Sequence, residues 1–406
     1  MSEWKEKTLN EVCQKITDGS HYSPIDVNSG YPMLSVKDMR EYEFDFSSCK
    51  HISFEDFCMM RQNDCIPQVG DVLVAKDGSY LKEIFCCKEY RDIAILSSIA
   101  IFRPNQSIIL PSFLCYLLKT SFIFNYISKN CVSGSALPRI VLKSFKDVRI
   151  PVPDLFTQSK IAGILLSLDA KIETNNKLNE KLEEMAQAIF KSWFVDFEPF
   201  KNQPFHETEL GMIPEGWEVT TIGENLKTAL GGTPSRNRDD YWNGEIAWIN
   251  SGEINKFRII QASEYITENG LKSSATKLLP AKTTVLAITG ATLGQVSLLE
   301  IDTCANQSVI GVLESDAIKH QFIYPLIKSQ IKYLILHQTG GAQQHINKQN
   351  VDSIQFVLPP KDILDEYQII TKKIFDQIST LCFENQRLAS LRDTLLPRLM
   401  SGEIKI

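Results

Sequence analysis

The feature that most constrains the fold is that the sequence repeats itself. The first residues, MSEWKEKTLNEV, place Trp4 five positions before Leu9, and the internal stretch GMIPEGWEVTTIGENL places Trp217 five positions before Ile222. Five more segment pairs follow in the same order at offsets between 206 and 215 residues, such as DVLVAKDGS and TVLAITGAT. One match alone is weak, but six in register indicate a tandem duplication. The sequence therefore predicts two similar domains.

Length and composition are those of a folded globular protein. A chain of 406 residues is long enough for two to four structural units. No apolar run reaches the roughly 18 residues that a membrane span needs, and the polar start predicts no secretory signal. Ten cysteines without a C-x-x-C pair predict reduced thiols rather than disulfides or zinc ligands. We therefore expect a cytoplasmic protein without a metal site.

Each copy reads as a mixed domain of strands and helices. Short β-branched segments bounded by Gly, Pro, Asn and Asp predict the strands of an α/β (α+β) domain. One helix is expected around residues 113–126, and its counterpart around 322–336. Each copy ends on a proline-flanked segment, IPVPD or VLPPKD. Because proline fixes φ and removes a donor, these segments are predicted to be extended and to mark the end of each domain.

A long amphipathic helix is predicted after each domain, over residues 158–194 and 365–399. Apolar residues recur at steps of mainly three and four, which is the spacing of a coiled-coil seam. The predicted seam residues are Ile161, Leu165, Leu168, Ile172, Leu178, Leu182, Met185, Ile189 and Trp193, then Tyr367, Ile370, Ile374, Ile378, Leu381, Leu388, Leu391, Leu395 and Leu399. An asparagine lies on each seam, Asn175 and Asn385. A buried asparagine fixes register and lowers stability; the alternative is that each amide faces solvent.

The two helices are predicted to pack against each other. Each is roughly 50 Å long, more than its own domain covers. Because both leave equivalent domains in the same way, pseudo-twofold pairing makes them antiparallel. The predicted fold is two tandem-repeat heads of the α/β (α+β) class, joined by two long antiparallel coiled-coil helices in a dumbbell. The predicted boundaries are 1–153 for the first head, 154–195 for its spacer helix, 196–215 for a linker, 216–359 for the second head and 360–406 for the second spacer helix.

Four pieces of sequence, in this order, resemble the specificity subunit of type I restriction-modification systems. They are KSWFVDFEPF, ELGMIPEGWEV, GGTPSR followed by YWNGEIAWI, and LRDTLLPRLMSGEI. The resemblance covers the full chain and implies two target-recognition domains, each reading one half of a split DNA sequence, with helical spacers that set the gap. It implies a subunit without catalytic activity, which recruits two methyltransferase subunits and, in the full complex, restriction subunits. S-adenosylmethionine, ATP and Mg²⁺ are then expected on those partners.

The sequence carries few signs of chemistry. It has no G-x-G-x-x-G cofactor loop, no G-x-x-x-x-G-K-[ST] phosphate loop and no N/D-P-P-Y/F methyltransferase signature. One alternative is a nuclease, because Asp154 with Asp169 and Lys171 has a loose PD…D-x-K spacing. That chemistry needs carboxylates clustered around Mg²⁺, whereas the second half of this pattern lies on a predicted helix. The sequence thus favours a recognition subunit that is not an enzyme.

Polar side chains in glycine-bearing loops are the candidates for reading DNA. Such side chains can bond base edges, and glycine permits close approach. The candidates in the first head are Ser20, His21, Tyr22, Lys37, Lys76, Ser79, Ser133, Ser135 and Arg139. In the second head they are Thr233, Ser235, Arg236, Arg238, Asn250, Ser251, Thr289, Thr292, Gln343, Gln344, His345, Asn347 and Lys348. For each residue, a solvated loop is the competing interpretation; Tyr241 and Trp242 are interpreted as structural aromatics. The heads differ at SALPRI and AQQHIN, which predicts an asymmetric site.

The net charge of −6 is concentrated in residues 151–215, which carry 6 basic and 11 acidic side chains. The acidic residues of the first spacer helix are poorly suited to lie on DNA, so we assign their face to partner subunits or solvent: Glu173, Glu180, Glu183 and Glu184. The isolated chain is then expected to bind double-stranded DNA weakly. Two rivals remain, a coiled-coil scaffold with protein-binding heads and the specificity component of another bipartite modification enzyme.

Overall fold

The chain forms two compact units. The structure, a computed structural model, describes residues 4–133, 138–336 and 345–406. One unit comprises Met1–Glu173 with Arg387–Ile406, and the other comprises Thr174–Gln386. Each unit therefore contains one repeat together with parts of both long helices. No helix among the described residues is long and apolar enough to cross a membrane.

The first unit is a mixed α/β domain of short strands. Its strands are β1 (Lys5–Thr8), β2 (Cys13–Asp18), β3 (Tyr31–Leu34), β4 (Lys50–Ile52), β5 (Val72–Ala75), β6 (Ile84–Cys86), β7 (Ala94–Ile95), β8 (Ile99–Pro104), β9 (Val132–Ser133), β10 (Arg139–Ile140) and β11 (Arg149–Val152). Its helices are α1 (Leu9–Val12), α2 (Phe54–Gln62), α3 (Pro111–Leu118), α4 (Ser121–Asn130), α5 (Leu142–Lys146) and the first part of α6 (Leu155–Phe194).

An antiparallel sheet in the order β2-β8-β5-β6 forms the centre of this unit. A second sheet, β4-β3-β7, has β3 parallel to β7, and β1 pairs with β11 with Lys5 opposite Val152. Both faces of β5 are buried, which explains its unbroken apolar sequence VLVA. Helix α3 begins with Pro111 at its first turn, where a missing N–H is tolerated, and packs Phe113 into the main core.

The second unit repeats this plan. Its strands are β12 (Phe205–Thr208), β13 (Gly211–Pro214), β14 (Glu218–Thr221), β15 (Thr228–Leu230), β16 (Trp242–Ile249), β17 (Glu264–Ile266), β18 (Leu278–Leu279), β19 (Thr284–Ala287), β20 (Val296–Leu298), β21 (Thr303–Ala305), β22 (Val309–Val312) and β23 (Gln355–Leu358). Its helices are α7 (Ile222–Asn225), α8 (Glu268–Lys272), α9 (His320–Leu336), α10 (Lys348–Asp352), the second part of α6 and most of α11 (Lys361–Met400).

The central sheets of the two units have the same topology, and the smaller sheet of the second unit has one strand more than that of the first. The antiparallel sheet β15-β22-β19-β20 corresponds to β2-β8-β5-β6, and β17-β16-β21-β18 contains the same parallel pair as the smaller sheet of the first unit. Strand β14 pairs with β23 as β1 pairs with β11. The short helices α1 and α7 both begin with a capping box, formed by Thr8 with Glu11 and by Thr221 with Glu224. The predicted duplication is confirmed.

The two long helices are antiparallel where they meet. Each has 40 residues. In the first unit, Arg392 of α11 donates to Asp169 of α6 at 2.7 Å, and Leu165 and Leu399 belong to one core. In the second unit, Asn175 donates to Asn385 at 2.8 Å, and Ala186 shares a cluster with Phe375. From the first unit to the second, therefore, residues later in α6 contact residues earlier in α11, as antiparallel packing requires.

The predicted coiled-coil seam is only partly right. In α6 it holds through Ile172, but Leu178 and Met185 are 44% and 51% exposed. Positions one residue further on are buried instead: Asn179, Glu183, Ala186, Phe190 and Phe194. In α11, Ile370 and Leu391 are exposed, whereas Thr371 and Phe375 are buried. The reason is that these faces pack on the strands and helices of the unit as well as on the other long helix, so the heptad pattern alone does not determine which side is covered.

Candidate nucleic-acid interface

The polar loops of the first unit meet at one edge of its central sheet. Gly19 follows β2, and its N–H donates to the Ile99 carbonyl at 3.1 Å. Ser20 next donates to the Ile95 carbonyl at 2.8 Å. A Cβ at Gly19 would overlap the Ile95 carbonyl oxygen, so the close approach of these backbones requires glycine. Lys76, at the end of β5, donates its N–H to the Ser98 carbonyl at 2.8 Å, which places the loops after β2 and β5 side by side.

The loop after β5 also contacts β10. Gly78 donates its N–H to the Pro138 carbonyl at 2.9 Å, and Asp77 forms a β-bridge with Arg139. Strand β9 lies beside β10, with Ser133 opposite Arg139. Predicted residues from two separate parts of the sequence are thereby brought together, Ser79 from one and Ser133 and Arg139 from the other.

The second unit brings its loops together in the same way. Gly231 donates its N–H to the Val309 carbonyl at 3.0 Å, and a Cβ there would overlap the Asn306 carbonyl oxygen. Thr289 forms a β-bridge with His345, as Asp77 does with Arg139 in the first unit. The geometry makes Arg139 and His345 equivalent. The sequence match had paired Pro138 with His345, so its register is wrong by one residue here.

Two predicted residues of the first unit serve the fold rather than the surface. Lys76 is 6% exposed, and its ammonium group donates to the Asp18 carboxylate at 2.5 Å. Ser20 is 9% exposed, and its hydroxyl donates to the Tyr22 carbonyl at 2.8 Å. A side chain that is buried and already bonded is not presented to a ligand. We therefore remove Lys76 and Ser20 from the set of proposed base contacts.

Two asparagines of the second unit are helix caps. The Asn347 side chain accepts the Asn350 N–H at 2.8 Å and so caps α10. The Asn250 side chain accepts the Gly252 N–H at 2.7 Å at the start of the 3₁₀ turn Ser251–Asn255. These amides satisfy backbone donors that otherwise lack a partner. Because Ser, Thr, Asp and Asn suit caps and DNA contacts alike, the sequence did not separate the two roles.

The remaining predicted residues divide by exposure. Those at the surface are His21, Tyr22, Lys37, Ser79, Ser133, Arg139, Thr233, Ser235, Arg236, Arg238, His345 and Lys348, and those partly buried are Ser251, Thr289 and Thr292. Some of them already have partners: Thr233 donates to Gln307 and Lys348 donates to Asp352, both at 2.5 Å. Ser135, Gln343 and Gln344 lie outside the described residues.

The spacer asparagines meet one another inside the second unit. Asn175 is 1% exposed, and its amide donates to Asn385 and to Glu384, each at 2.8 Å. Asn385 donates in turn to Asn176 at 2.8 Å. The solvent-facing alternative is therefore wrong for Asn175. Asn179, which the sequence prediction missed, is also buried and contacts Cys382. It is the counterpart of Asn385, because the two residues lie equally far from the first residues of α6 and α11.

A buried ionic cluster joins α6 to the rest of the second unit. Arg258 is 4% exposed and donates to Glu183 of α6 at 2.8 Å and to the Tyr324 hydroxyl at 3.1 Å. Lys328 of α9 donates to the same carboxylate at 2.8 Å. Burial opposes ionisation of Glu183, but Arg258 and Lys328 outweigh it and hold the pKa of this carboxyl below its usual value. The assignment of Glu183 to an outer face is thus wrong. No sequence pattern around Arg258 predicted that it would pair with this carboxylate.

A second cluster occupies the equivalent region of the first unit. Asp169 accepts hydrogen bonds from Tyr116 at 2.6 Å, from Tyr42 at 3.1 Å and from Arg392 at 2.7 Å. Burial raises the pKa of Tyr116, which keeps this hydroxyl a donor. Glu173, also assigned to an outer face, is paired with Lys88 at 2.7 Å.

The same contacts argue against the nuclease alternative. Asp154 accepts the Thr157 N–H at 3.0 Å at the start of α6. Asp169 lies fifteen residues further along this helix, about 22 Å away at 1.5 Å per residue. The two carboxylates therefore cannot share one Mg²⁺.

Comparison with known proteins identifies the family. The profile described as "Type I restriction modification DNA specificity domain" matches residues 1–184 and 214–392. The type I restriction enzyme HindI specificity subunit of Haemophilus influenzae is 27% identical over the whole of both chains. The MjaIX specificity subunit of Methanocaldococcus jannaschii is 31% identical over 75% of this chain and 71% of that one.

A solved structure shares the fold. The crystal structure of the type I restriction-modification S subunit from M. genitalium has a TM-score of 0.58, with 98% of this chain and 96% of that chain covered at 15% identity. At this identity the likeness shows the fold alone. Together with the family match over most of the sequence, the conclusion is that this chain belongs to the type I restriction-modification DNA specificity family.

Proposed function

We propose that this chain reads a bipartite, asymmetric DNA sequence for a type I restriction-modification complex, with one unit for each half-site and with α6 and α11 setting the gap. The chain does no chemistry itself. It recruits two methyltransferase subunits and, in the full complex, restriction subunits, and these cytoplasmic partners hold S-adenosylmethionine, ATP and Mg²⁺. The exposed faces of the long helices are the surface we assign to them.

One observation carries this proposal. In both units, polar, glycine-bearing loops meet at one edge of a central sheet with the same strand order, yet the exposed side chains at an equivalent position differ. Arg139 stands where the other unit has His345. Arginine pairs best with guanine, whereas histidine lacks the guanidinium fork and presents two separate ring nitrogens. Equal scaffolds with unequal reading positions favour two different half-sites.

The test uses these two positions as a matched pair. Sequences bound by the chain with its methyltransferase subunits are selected from a random duplex pool, for the wild type, Arg139→Ala and His345→Ala. Each variant should relax the preference in one half-site only, by about 1–3 kcal/mol at the affected base pair. Arg149→Ala is the control, since Arg149 is also exposed in the first unit but lies on β11, outside the polar loops.

The results separate the rivals. Recovery of one uninterrupted motif or of a perfect palindrome would contradict the bipartite asymmetric site. No enrichment at all, with affinity for protein partners retained, would favour the scaffold with protein-binding heads. Binding to DNA should weaken steeply as salt rises, because counterions are released from the phosphates.

A further inference from the structure

Both arginines in the loop between β15 and β16 are held by carboxylates. The two terminal nitrogens of Arg236 donate to the two carboxylate oxygens of Glu264, one of them at 3.1 Å. Arg238 donates to both oxygens of Asp240, at 2.8 and 2.9 Å. These are paired, parallel hydrogen bonds, the arrangement in which the guanidinium group binds an acceptor most strongly.

Aromatic side chains fix Arg236 in this position. Its guanidinium carbon lies 3.6 Å from the centre of the Trp242 ring and 5.1 Å from that of Trp248. The indole N–H groups of Trp242 and Trp248 donate to the carbonyls of Ser235 and Gly232, both at 3.1 Å, and so attach the loop to β16. The Arg236 side chain nevertheless remains 53% exposed. It is held in place, neutralised and still accessible.

We propose that Glu264 is a specificity-determining residue: it occupies the hydrogen-bonding fork of Arg236 in the free protein, and DNA must displace it. This inference rests on the proposed function. Two adjacent acceptors, such as O6 and N7 of guanine, replace both hydrogen bonds that Glu264 accepts. A contact with a single acceptor does not, and it leaves a carboxylate unpaired beside the phosphates. Glu264 therefore penalises binding to unrelated sequences.

The Glu264–Arg236 pair belongs to the second unit. The corresponding loop of the first unit, DGSHYSP, contains no arginine. We therefore expect Glu264 to affect only the half-site read by the second unit.

The test is Glu264→Gln in the full chain, alone and with its methyltransferase subunits. Gln keeps the shape of Glu and removes its charge. If Arg236 then neutralises one more phosphate, the slope of log affinity against log salt steepens by about 0.9, and affinity for a duplex of unrelated sequence rises about eightfold near 0.1 M salt. Glu268→Gln is the matched control, since it removes the same charge from an exposed pair with Lys272 in this unit. It should leave unrelated-sequence affinity unchanged.

Two further variants complete the experiment. The double variant Glu264→Gln with Arg236→Gln should return to wild-type affinity for unrelated DNA. Arg236→Gln alone leaves the Glu264 carboxylate without its guanidinium partner, so affinity for unrelated DNA should fall below that of the wild type. An unchanged affinity would overturn the inference, and this result does not depend on the folding of the Glu264 variant. Near-ultraviolet circular dichroism of the tryptophans checks the loop.

The inference and the proposed function fail differently. A wild-type complex with no salt-dependent, sequence-selective DNA binding would overturn the proposed function. Selective wild-type binding, with Glu264→Gln unchanged or with Glu268→Gln equally stimulated, would overturn only the role of Glu264.

Discussion

Replacing Arg258 by Met should unfold the second unit at much lower temperature. Arg258 lies between α6 and the recognition domain, where it contacts Glu183 and Tyr324 and has a side-chain exposure of 1%. Methionine restores most of the volume but not the charge. The buried Glu183 carboxylate then loses the Arg258 guanidinium and keeps Lys328 as its partner.

The magnitude follows from what the substitution leaves behind. Removing one partner of a buried ion pair lowers the free energy of unfolding by about 3–5 kcal/mol, because the buried charge that remains loses much of its compensation. For a unit of this size each kcal/mol shifts the melting temperature by about 2–4 °C, so we expect a decrease of about 6–20 °C. Adding Glu183→Gln should recover part of this loss, since the stranded charge is then removed as well.

Tryptophan fluorescence suits the measurement, because four of the five tryptophans lie in the second unit: Trp193, Trp217, Trp242 and Trp248. Thermal and urea unfolding would be followed for Arg258→Met, the double variant and Arg238→Met. Arg238→Met is the control, since that residue is exposed and its described contacts are local, with Asp240 and the Tyr241 ring. A loss below about 1 kcal/mol for Arg258→Met, or a double variant no more stable than the single one, would refute the reasoning.

Further predictions concern the helices and the glycines. Replacing both Asn175 and Asn385 by Leu should raise the melting temperature and loosen helix register; a lower melting temperature would contradict this. Gly163→Ala in α6 should stabilise the protein by about 1 kcal/mol in urea unfolding, because no atom lies within 4 Å of the new Cβ. Gly231→Ala should destabilise it, since its Cβ meets a carbonyl oxygen; equal stability would disprove the clash. The stability that Glu183 contributes is present above its unfolded-state pKa of about 4.3 and is lost as pH falls through its lower folded-state value. Glu183→Gln should thus flatten the acid limb of the stability curve, and an unchanged limb would contradict this.

The composition of the loops predicts where the candidate interface lies, but not which side chains face outward. Glycines and polar residues marked the loops that converge, because close backbone approach requires glycine whatever the surroundings. The same composition did not distinguish a side chain that faces outward from one that caps a helix. Arg139 and His345 lie exposed at equivalent β-bridges, whereas Asn347 caps α10 and Lys76 is buried against Asp18.

By itself the sequence determined the duplication, the succession of strands and the two long helices, because local periodicity and ordered repeats need no knowledge of neighbours. Tertiary structure alone decided which face of each helix is covered. After Ile172 the buried face follows Asn179 and Glu183 rather than Leu178, since the recognition domain presents Arg258 and Lys328 to it. The apolar stripe of a helix is visible in its sequence, but a charged residue that is buried against a charge from a distant loop or helix leaves no periodic pattern.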